Sequence, residues 1–126
     1  MGCDIHSVIE FREQDWWTGL GELEIGRWYS FFSNLAGERN YDGVEPVAQD
    51  RGFPSDASFV SKDVYSDWGP DAHNPSFASL EEFKKAYKMA GEDGRYTQPE
   101  IEAGISAMEK LEQLGHKTRL VFFFDN

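Results

Sequence analysis

Two Asp-x-His pairs are the part of this sequence best suited to chemistry. The pairs are Asp4-x-His6 and Asp71-x-His73, and together they contain two of the three histidines of the chain. The apolar residues that follow His6 predict a β-strand, on which side chains two residues apart point to the same face. Asp4 and His6 would then lie side by side. That arrangement is typical of metal ligands, or of an acid/base histidine with an orienting carboxylate.

The predicted site draws on three separate segments of the chain. We predict His6, His73, Asp4 and Asp71 as catalytic residues, with each histidine oriented by its neighbouring aspartate. The predicted metal ligands are Asp4, His6, His73 and Asp125, and this set of imidazoles and carboxylates suits Zn²⁺ or Mn²⁺. Both interpretations require the three segments to converge in space. The alternative is that the histidines are surface or core residues hydrogen-bonded to nearby backbone.

A polar loop supplies the predicted ligand-binding residues. From residue 38 to residue 56 the sequence is rich in Gly, Pro, Asp, Asn and Arg and has no apolar period, which is typical of a functional loop or of a disordered segment. Arginine binds phosphate, and aromatic rings stack on bases, so the loop suits a nucleotide-type ligand. The predicted ligand-binding residues are Arg39, Asn40, Arg51, Phe53 and Asp56. Surface ion pairs and core packing are the alternative explanation for these side chains.

Composition limits the partners of the protein. The net charge of −11 argues against binding a nucleic-acid polymer, because the phosphate backbone requires a positive surface. No apolar run is long enough for a membrane span or a secretory signal. The single cysteine excludes an internal disulfide, so we expect a cytoplasmic protein in which Cys3 is a small buried residue. The aromatic fraction of 15% provides for a core, a pocket wall and an interface, and we expect a homo-oligomer.

The elements that must position these residues begin with a strand over residues 3–11. Residues 20–28 predict its hairpin partner, after a turn at 15–19. Residues 29–35 predict a short helix that ends at Gly37. Two further helices are indicated by their first turns and by the glycines that close them. Their capping boxes and closing residues are Ser79-Leu80-Glu81-Glu82 with Gly91, and Thr97-Gln98-Pro99-Glu100 with Gly115.

The apolar run at residues 120–124 predicts a central strand that is covered on both faces. We expect it to pair with the strand at 3–11 and to bring Asp125 and Asn126 to the site. The length fits one domain over residues 1–126. The predicted fold is α+β, a small and mainly antiparallel sheet with adjacent N- and C-terminal strands. Two helices from the C-terminal half would pack on this sheet.

Several segments, spread from the first residue to the last, form a recognisable set. They are Met1-Gly2-Cys3-Asp4-Ile5-His6, Leu35-Ala36-Gly37 with Arg39-Asn40, Arg51-Gly52-Phe53-Pro54 with Asp56 and Ser58, Asp71-Ala72-His73, and Val121-Phe122-Phe123-Phe124-Asp125-Asn126. This set resembles a group of uncharacterised small proteins encoded by bacteriophages and prophages. The chain departs from that group at Glu38, where we expect an apolar residue, and at Phe77, where we expect tryptophan. The resemblance implies action on a host molecule, for example a nucleotide signal of antiviral defence.

Three hypotheses about function follow from these observations. In the first, the protein hydrolyses a phosphodiester-type bond in a small nucleotide-type molecule. His6 and His73 act as metal ligands or acid/base groups, and Arg39 and Arg51 hold the phosphates. In the second, the protein sequesters the same ligand without cleaving it. In the third, it inhibits a host protein through its acidic surface.

Overall fold

The computed structural model of the chain describes residues 2–91 and 97–125, which are built on a four-stranded sheet. The strands are β1 (Asp4–Glu13), β2 (Trp16–Glu22), β3 (His73–Ser79) and β4 (Thr118–Asp125). The helices are α1 (Tyr29–Ala36), α2 (Phe59–Trp68), α3 (Leu80–Ala90) and α4 (Pro99–Gln113), with a 3-10 turn at Gly69–Asp71. The strand order is β2-β1-β4-β3, and every pair is antiparallel. The predicted α+β fold with adjacent N- and C-terminal strands is therefore confirmed.

The central strands β1 and β4 are paired along almost their whole length. The register extends from Asp4 opposite Asp125 to Phe11 opposite Thr118. All residues of β4 except Asp125 are buried, as its continuous apolar run predicts. Asn126, which the sequence placed beside Asp125, lies outside the described residues. The ends of β1 and β4 thereby form one corner of the fold.

The two faces of the sheet are covered by different helices. On one face, which we name the core face, Cys3, Ile5 and Phe124 belong to the main hydrophobic cluster together with residues of α1, α3 and α4. On the opposite face, which we name the α2 face, Val8 and Phe123 pack in a smaller cluster with residues of α2. Cys3 is fully buried, as predicted. Strand alternation therefore decides which helices each functional residue can approach.

The hairpin differs from its prediction. We expected its second strand at residues 20–28, but β2 ends at Glu22. The chain turns earlier, at residues 14–15, where Gln14 adopts the left-handed conformation with φ of 50°. Gly19 and Gly21 lie within β2, opposite a register shift in β1. Those glycines mark an irregular strand and not a turn.

Two helix starts illustrate how tertiary contacts compete with capping patterns. Ser79 and Glu82 form the expected capping box of α3. The predicted box at Thr97 is wrong, because α4 begins at Pro99 with Gln98 as its N-cap and without a side-chain cap. The Gln98 amide bonds instead to the backbone of Gly26, accepting from N at 3.1 Å and donating to O at 3.3 Å. This long-range pair of bonds replaces the local cap.

A buried ion pair fastens β1, β4 and α2 together on the α2 face. Glu10 is fully buried and accepts a hydrogen bond from Arg119 Nε at 2.6 Å. Its other oxygen accepts from the backbone N–H of Ser58 at 2.7 Å and from the Ser61 hydroxyl at 2.6 Å. The Arg119 guanidinium lies 4.0 Å from the centre of the Trp17 ring. The carboxylate thus compensates its burial with charged and neutral donors.

Arg51 joins the 38–56 loop to the start of α3. Its guanidinium forms a two-pronged ion pair with Glu82 and donates to the backbone oxygens of Val47 at 2.9 Å and Phe77 at 3.1 Å. The hydrogen bond from Arg51 lowers the pKa of Glu82 to about 2, against the opposing effect of partial burial. This pair makes the loop part of the sheet scaffold.

The Arg51–Glu82 pair should make stability depend on pH in acid. Because the folded pKa of Glu82 is depressed, its contribution is complete above the unfolded value of about 4.3 and is lost as the pH falls towards 2. We expect Glu82→Gln to lower the free energy of unfolding by about 1 kcal/mol at pH 7. The deficit should shrink at pH 3. Urea titrations at both pH values measure it, with the exposed neighbour Glu81→Gln as control; a deficit unchanged at pH 3 would contradict the assignment.

Candidate functional site

Three predicted segments meet at one corner of the sheet. Asp4 at the start of β1 lies opposite Asp125 at the end of β4, and His73 at the start of β3 lies opposite Phe124. Strand alternation places Asp4, His6 and Asp125 on the α2 face. The side chain of His73 instead approaches residues at the edge of the core face. The two histidines therefore belong to two separate clusters.

The first cluster is a histidine–carboxylate pair on neighbouring strands. His6 Nε2 is hydrogen-bonded to Asp125 Oδ2, and both side chains are about one-fifth exposed. The imidazole lies against two aromatic rings, with centroids 4.2 Å away at Trp68 and 5.2 Å away at Phe123. Ring contacts and the carboxylate together fix the orientation of the imidazole. The residue that orients His6 is thus Asp125, on the neighbouring strand β4.

Asp4 has a different partner. Arg27 donates to both of its carboxylate oxygens, at 3.0 and 3.1 Å, and each side chain is about half exposed. This hydrogen bond, rather than burial, dominates the shift and lowers the pKa of Asp4. The pair places a guanidinium beside the histidine cluster.

A cleft of about 590 Å³ opens beside His6. Its walls come from the start of β1, from the segment that follows β2 and from the last residue of α2. The charged and aromatic side chains that line it are Asp4, His6, Glu22, Glu24, Arg27 and Trp68. The cleft contains three carboxylates and one guanidinium and is therefore acidic. It suits a cation, or an anion that binds together with a cation.

The second cluster consists of Cys3, Glu38 and His73. Glu38 Oε1 lies 3.0 Å from His73 Nε2 and 4.0 Å from Cys3 Sγ. All three ligand atoms lie within 4.8 Å of one another, and within residues 2–91 and 97–125 no other trio of histidine, cysteine or carboxylate side chains does so. The pKa of the Cys3 thiol is raised to about 11, mainly by burial and further by the negative charge of Glu38. This trio combines three ligand types that bind transition metals.

The four predicted metal ligands are thus divided between the two clusters. His6 and Asp125 contact each other, Asp4 is bound to Arg27, and His73 is bound to Glu38. Asp71 approaches His73 through its backbone carbonyl, which lies 3.5 Å from Nδ1. The aspartate predicted to orient this histidine therefore does so by its main chain.

The predicted ligand-binding residues are engaged in contacts that shape the loop. Arg39 lies over the Tyr29 ring, 5.2 Å from its centre, and a hydrogen bond to Tyr41 raises its pKa. The Asn40 amide donates to the backbone O of Val44 at 2.8 Å and accepts from its N at 2.9 Å. Arg39 directly follows Glu38, so it is the member of the predicted set that lies beside the second cluster.

The other three predicted ligand-binding residues form contacts that stabilise the fold. Arg51 pairs with Glu82, as described above. Phe53 stacks on Tyr65 with ring centroids 4.3 Å apart and planes at 9°. Asp56 accepts a hydrogen bond from Arg119 at 3.1 Å, which helps to lower its pKa. Their contacts match the structural alternative stated for these side chains.

Sequence reasoning did not identify Arg27, Trp68 or Glu38 as site residues. Arg27 and Trp68 are brought to the cleft by a segment after β2 and by a helix that was not predicted. For Glu38 there was one indication in the sequence, a glutamate at a position where we expected an apolar residue. A carboxylate at that position is explained by the contact with His73 and by a 2.7 Å hydrogen bond from Asn74 Nδ2.

Comparisons with known proteins do not indicate a family for this chain. No protein-family model, curated protein or solved structure matches the chain. Among the described residues, no helix combines the length and the apolar character needed to cross a membrane.

Proposed function

We propose that the protein hydrolyses a phosphodiester-type bond in a small nucleotide-type molecule, with His6 as the acid/base residue. The observation that carries this proposal is the pairing of His6, which lines the cleft, with Asp125 on the neighbouring strand. A histidine with one ring nitrogen bound to a carboxylate and its ring held by aromatic neighbours is a suitable proton carrier.

The pair defines the path of the proton. In the proposed mechanism the carboxylate of Asp125 accepts from Nε2–H, which leaves the lone pair of His6 Nδ1 to remove a proton from water. The water oxygen then bonds to phosphorus while the bond from phosphorus to the leaving oxygen breaks. The imidazolium, stabilised by Asp125, returns the proton to that oxygen. One water is consumed, and the histidine ends in its starting state.

The lining of the cleft supports a nucleotide that enters with a divalent cation. Asp4, Glu22 and Glu24 would repel bare phosphates, and a bound Mn²⁺ or Mg²⁺ removes that repulsion. Arg27, next to the cleft, offers a guanidinium to a phosphate oxygen. Trp68 is 38% exposed beside the imidazole and offers a face for base stacking.

The proposed setting is the host cytoplasm during phage infection, where a nucleotide defence signal is the substrate class. We also infer that the chain acts as a homo-oligomer. Strand β2 is an edge of the sheet, and it exposes Trp16 by 54% and Leu20 by 51%. Apolar side chains beside unpaired strand backbone favour association between copies.

The direct test is incubation of the purified protein with cyclic and linear nucleotides. Each is supplied with Mn²⁺, with Mg²⁺ or with EDTA, and the nucleotide is recovered after heat denaturation and separated by chromatography. We expect a hydrolysed product with the cations and much less with EDTA. Intact nucleotide that co-purifies and is released by heat would replace hydrolysis with sequestration. Absence of any nucleotide binding would favour the acidic inhibitor of a host protein.

A further inference from the structure

We propose that Cys3, Glu38 and His73 form a zinc-binding site on the edge of the core face, distinct from the His6 cleft. The site offers one sulfur, one imidazole nitrogen and one carboxylate oxygen. Zn²⁺ is bound by these three ligand types, and sites with three protein ligands keep a position for water or another molecule. The proposal concerns residues that the hydrolysis mechanism does not use.

The spacing of the ligand atoms fits a tetrahedral ion. Zinc bonds of about 2.0 to 2.3 Å place neighbouring ligand atoms roughly 3.3 to 3.8 Å apart. Glu38 Oε1 is 3.0 Å from His73 Nε2 and 4.0 Å from Cys3 Sγ, so the two distances bracket that range. All three ligand atoms lie within 4.8 Å of one another, so the bound state requires side-chain rotations that draw His73 and Cys3 together around the ion.

Outer contacts orient these ligands in the manner of metal sites. His73 Nδ1 faces the backbone carbonyl of Asp71 at 3.5 Å, which leaves Nε2 towards Glu38. The Asn74 amide donates to the second Glu38 oxygen at 2.7 Å. Partners of this kind fix the histidine tautomer and the orientation of the carboxylate, and metal-ligating histidines and carboxylates typically have them. A histidine that merely formed a surface ion pair would not require them.

The backbone beside the ligands is held in an uncommon conformation. Arg39 and Asn74, the residues directly after Glu38 and His73, have φ of 53° and 52°. Positive φ is uncommon outside glycine, and such conformations concentrate at ligand sites. Both positions therefore lie directly beside a ligand of the proposed site.

Charge and access are also appropriate. A thiolate and a carboxylate balance the two charges of zinc, so the bound site is neutral in its buried part. The Cys3 side is fully buried, whereas the His73 side chain is 30% exposed. An ion can therefore enter from the His73 side, and the fourth position would face solvent.

The test uses untagged protein freed of metal with EDTA. We expect calorimetry and elemental analysis to give one zinc per chain. We expect Cys3→Ser and His73→Gln to weaken zinc affinity by at least about 10- to 100-fold, the loss typical of removing even an outer partner. His116→Gln is the matched control, because its ring bonds to the backbone of Arg12 at the other end of β1 and should leave affinity unchanged.

A second measurement is independent of whether the variants fold. Cobalt(II) bound to the wild-type protein should give the ultraviolet charge-transfer band of a cobalt–thiolate bond, since Cys3 is the single cysteine. Because zinc is bound by the thiolate, binding releases the thiol proton of Cys3, and affinity should rise with pH near neutrality. A wild-type protein without stoichiometric zinc, or a cobalt complex without the band, would overturn the proposal. His6→Gln should retain zinc, which separates this site from the proposed hydrolysis.

Discussion

Replacing His6 with glutamine is expected to slow nucleotide hydrolysis by about 10²- to 10⁴-fold, the usual contribution of a general acid/base. Glutamine fills similar space between Trp68 and Phe123 and still offers a polar group to Asp125, so the fold should be retained. The glutamine side chain has no basic nitrogen and cannot take a proton from water. Initial rates at saturating nucleotide with Mn²⁺ measure the loss, and circular dichroism checks the fold.

Two further variants separate proton transfer from a structural effect. His116→Gln removes a histidine at the far end of β1 and should leave the rate unchanged. Asp125→Asn keeps the shape of the orienting residue but removes the charge that stabilises the imidazolium. It should lower kcat more than it raises KM. A His6→Gln protein with a wild-type rate would exclude His6 as the acid/base residue.

Replacing Glu10 with glutamine should have the largest effect on stability. Glu10 is fully buried, and Arg119, its partner, is 8% exposed. Removing the Glu10 charge leaves the buried guanidinium with the more exposed Asp56 as its remaining ion-pair partner, and we expect a cost of about 3 kcal/mol, the lower end for a broken buried pair. That is a large part of the 5 to 15 kcal/mol that typically separates folded and unfolded states. The variant should unfold at a markedly lower urea concentration.

The control for this prediction is Glu22→Gln, an exposed glutamate on β2 that should change stability by less than about 0.5 kcal/mol. A double-mutant cycle with Arg119→Met isolates the ion pair from the hydrogen bonds of Ser58 and Ser61. We expect the double variant to be much more stable than the sum of the single losses predicts. Additive losses would show that the two charges do not stabilise each other.

The elements that sequence predicted well are those whose local pattern agrees with their burial. The run at 120–124 is continuous and apolar because β4 is covered on both faces. Helix α1 ends at Gly37 with φ of 75°, as its sequence indicates. Helix α2 was missed because only Ser61 and Val64 in it are buried, and because its apolar residues Val60 and Val64 are interspersed with Ser, Lys and Asp. Strand β3 contains Pro75 and a register shift, so its alternation is broken.

The candidate site was predictable where it depends on strand geometry. Alternation placed Asp4 and His6 on one face, and the expected pairing of the first and last strands placed Asp125 beside them. The second cluster was not predictable, because Glu38 and His73 are 35 positions apart in the chain. No spacing rule connects a loop residue to a strand at that distance. Arg27 and Trp68 reached the cleft by the same kind of long-range packing.

The pairing of β1 with β4 also governs when the protein can fold. His6 and Asp125 are 119 positions apart in the chain, and Glu10 and Arg119 are 109 apart. Closing such long loops precedes any stabilising contact between these strands, which makes folding slow. During synthesis, β1 emerges first and remains without its central neighbour until β4 has left the ribosome. Until β4 is synthesised, the apolar residues of β1 therefore lack this neighbour and are available to chaperones or to other nascent chains.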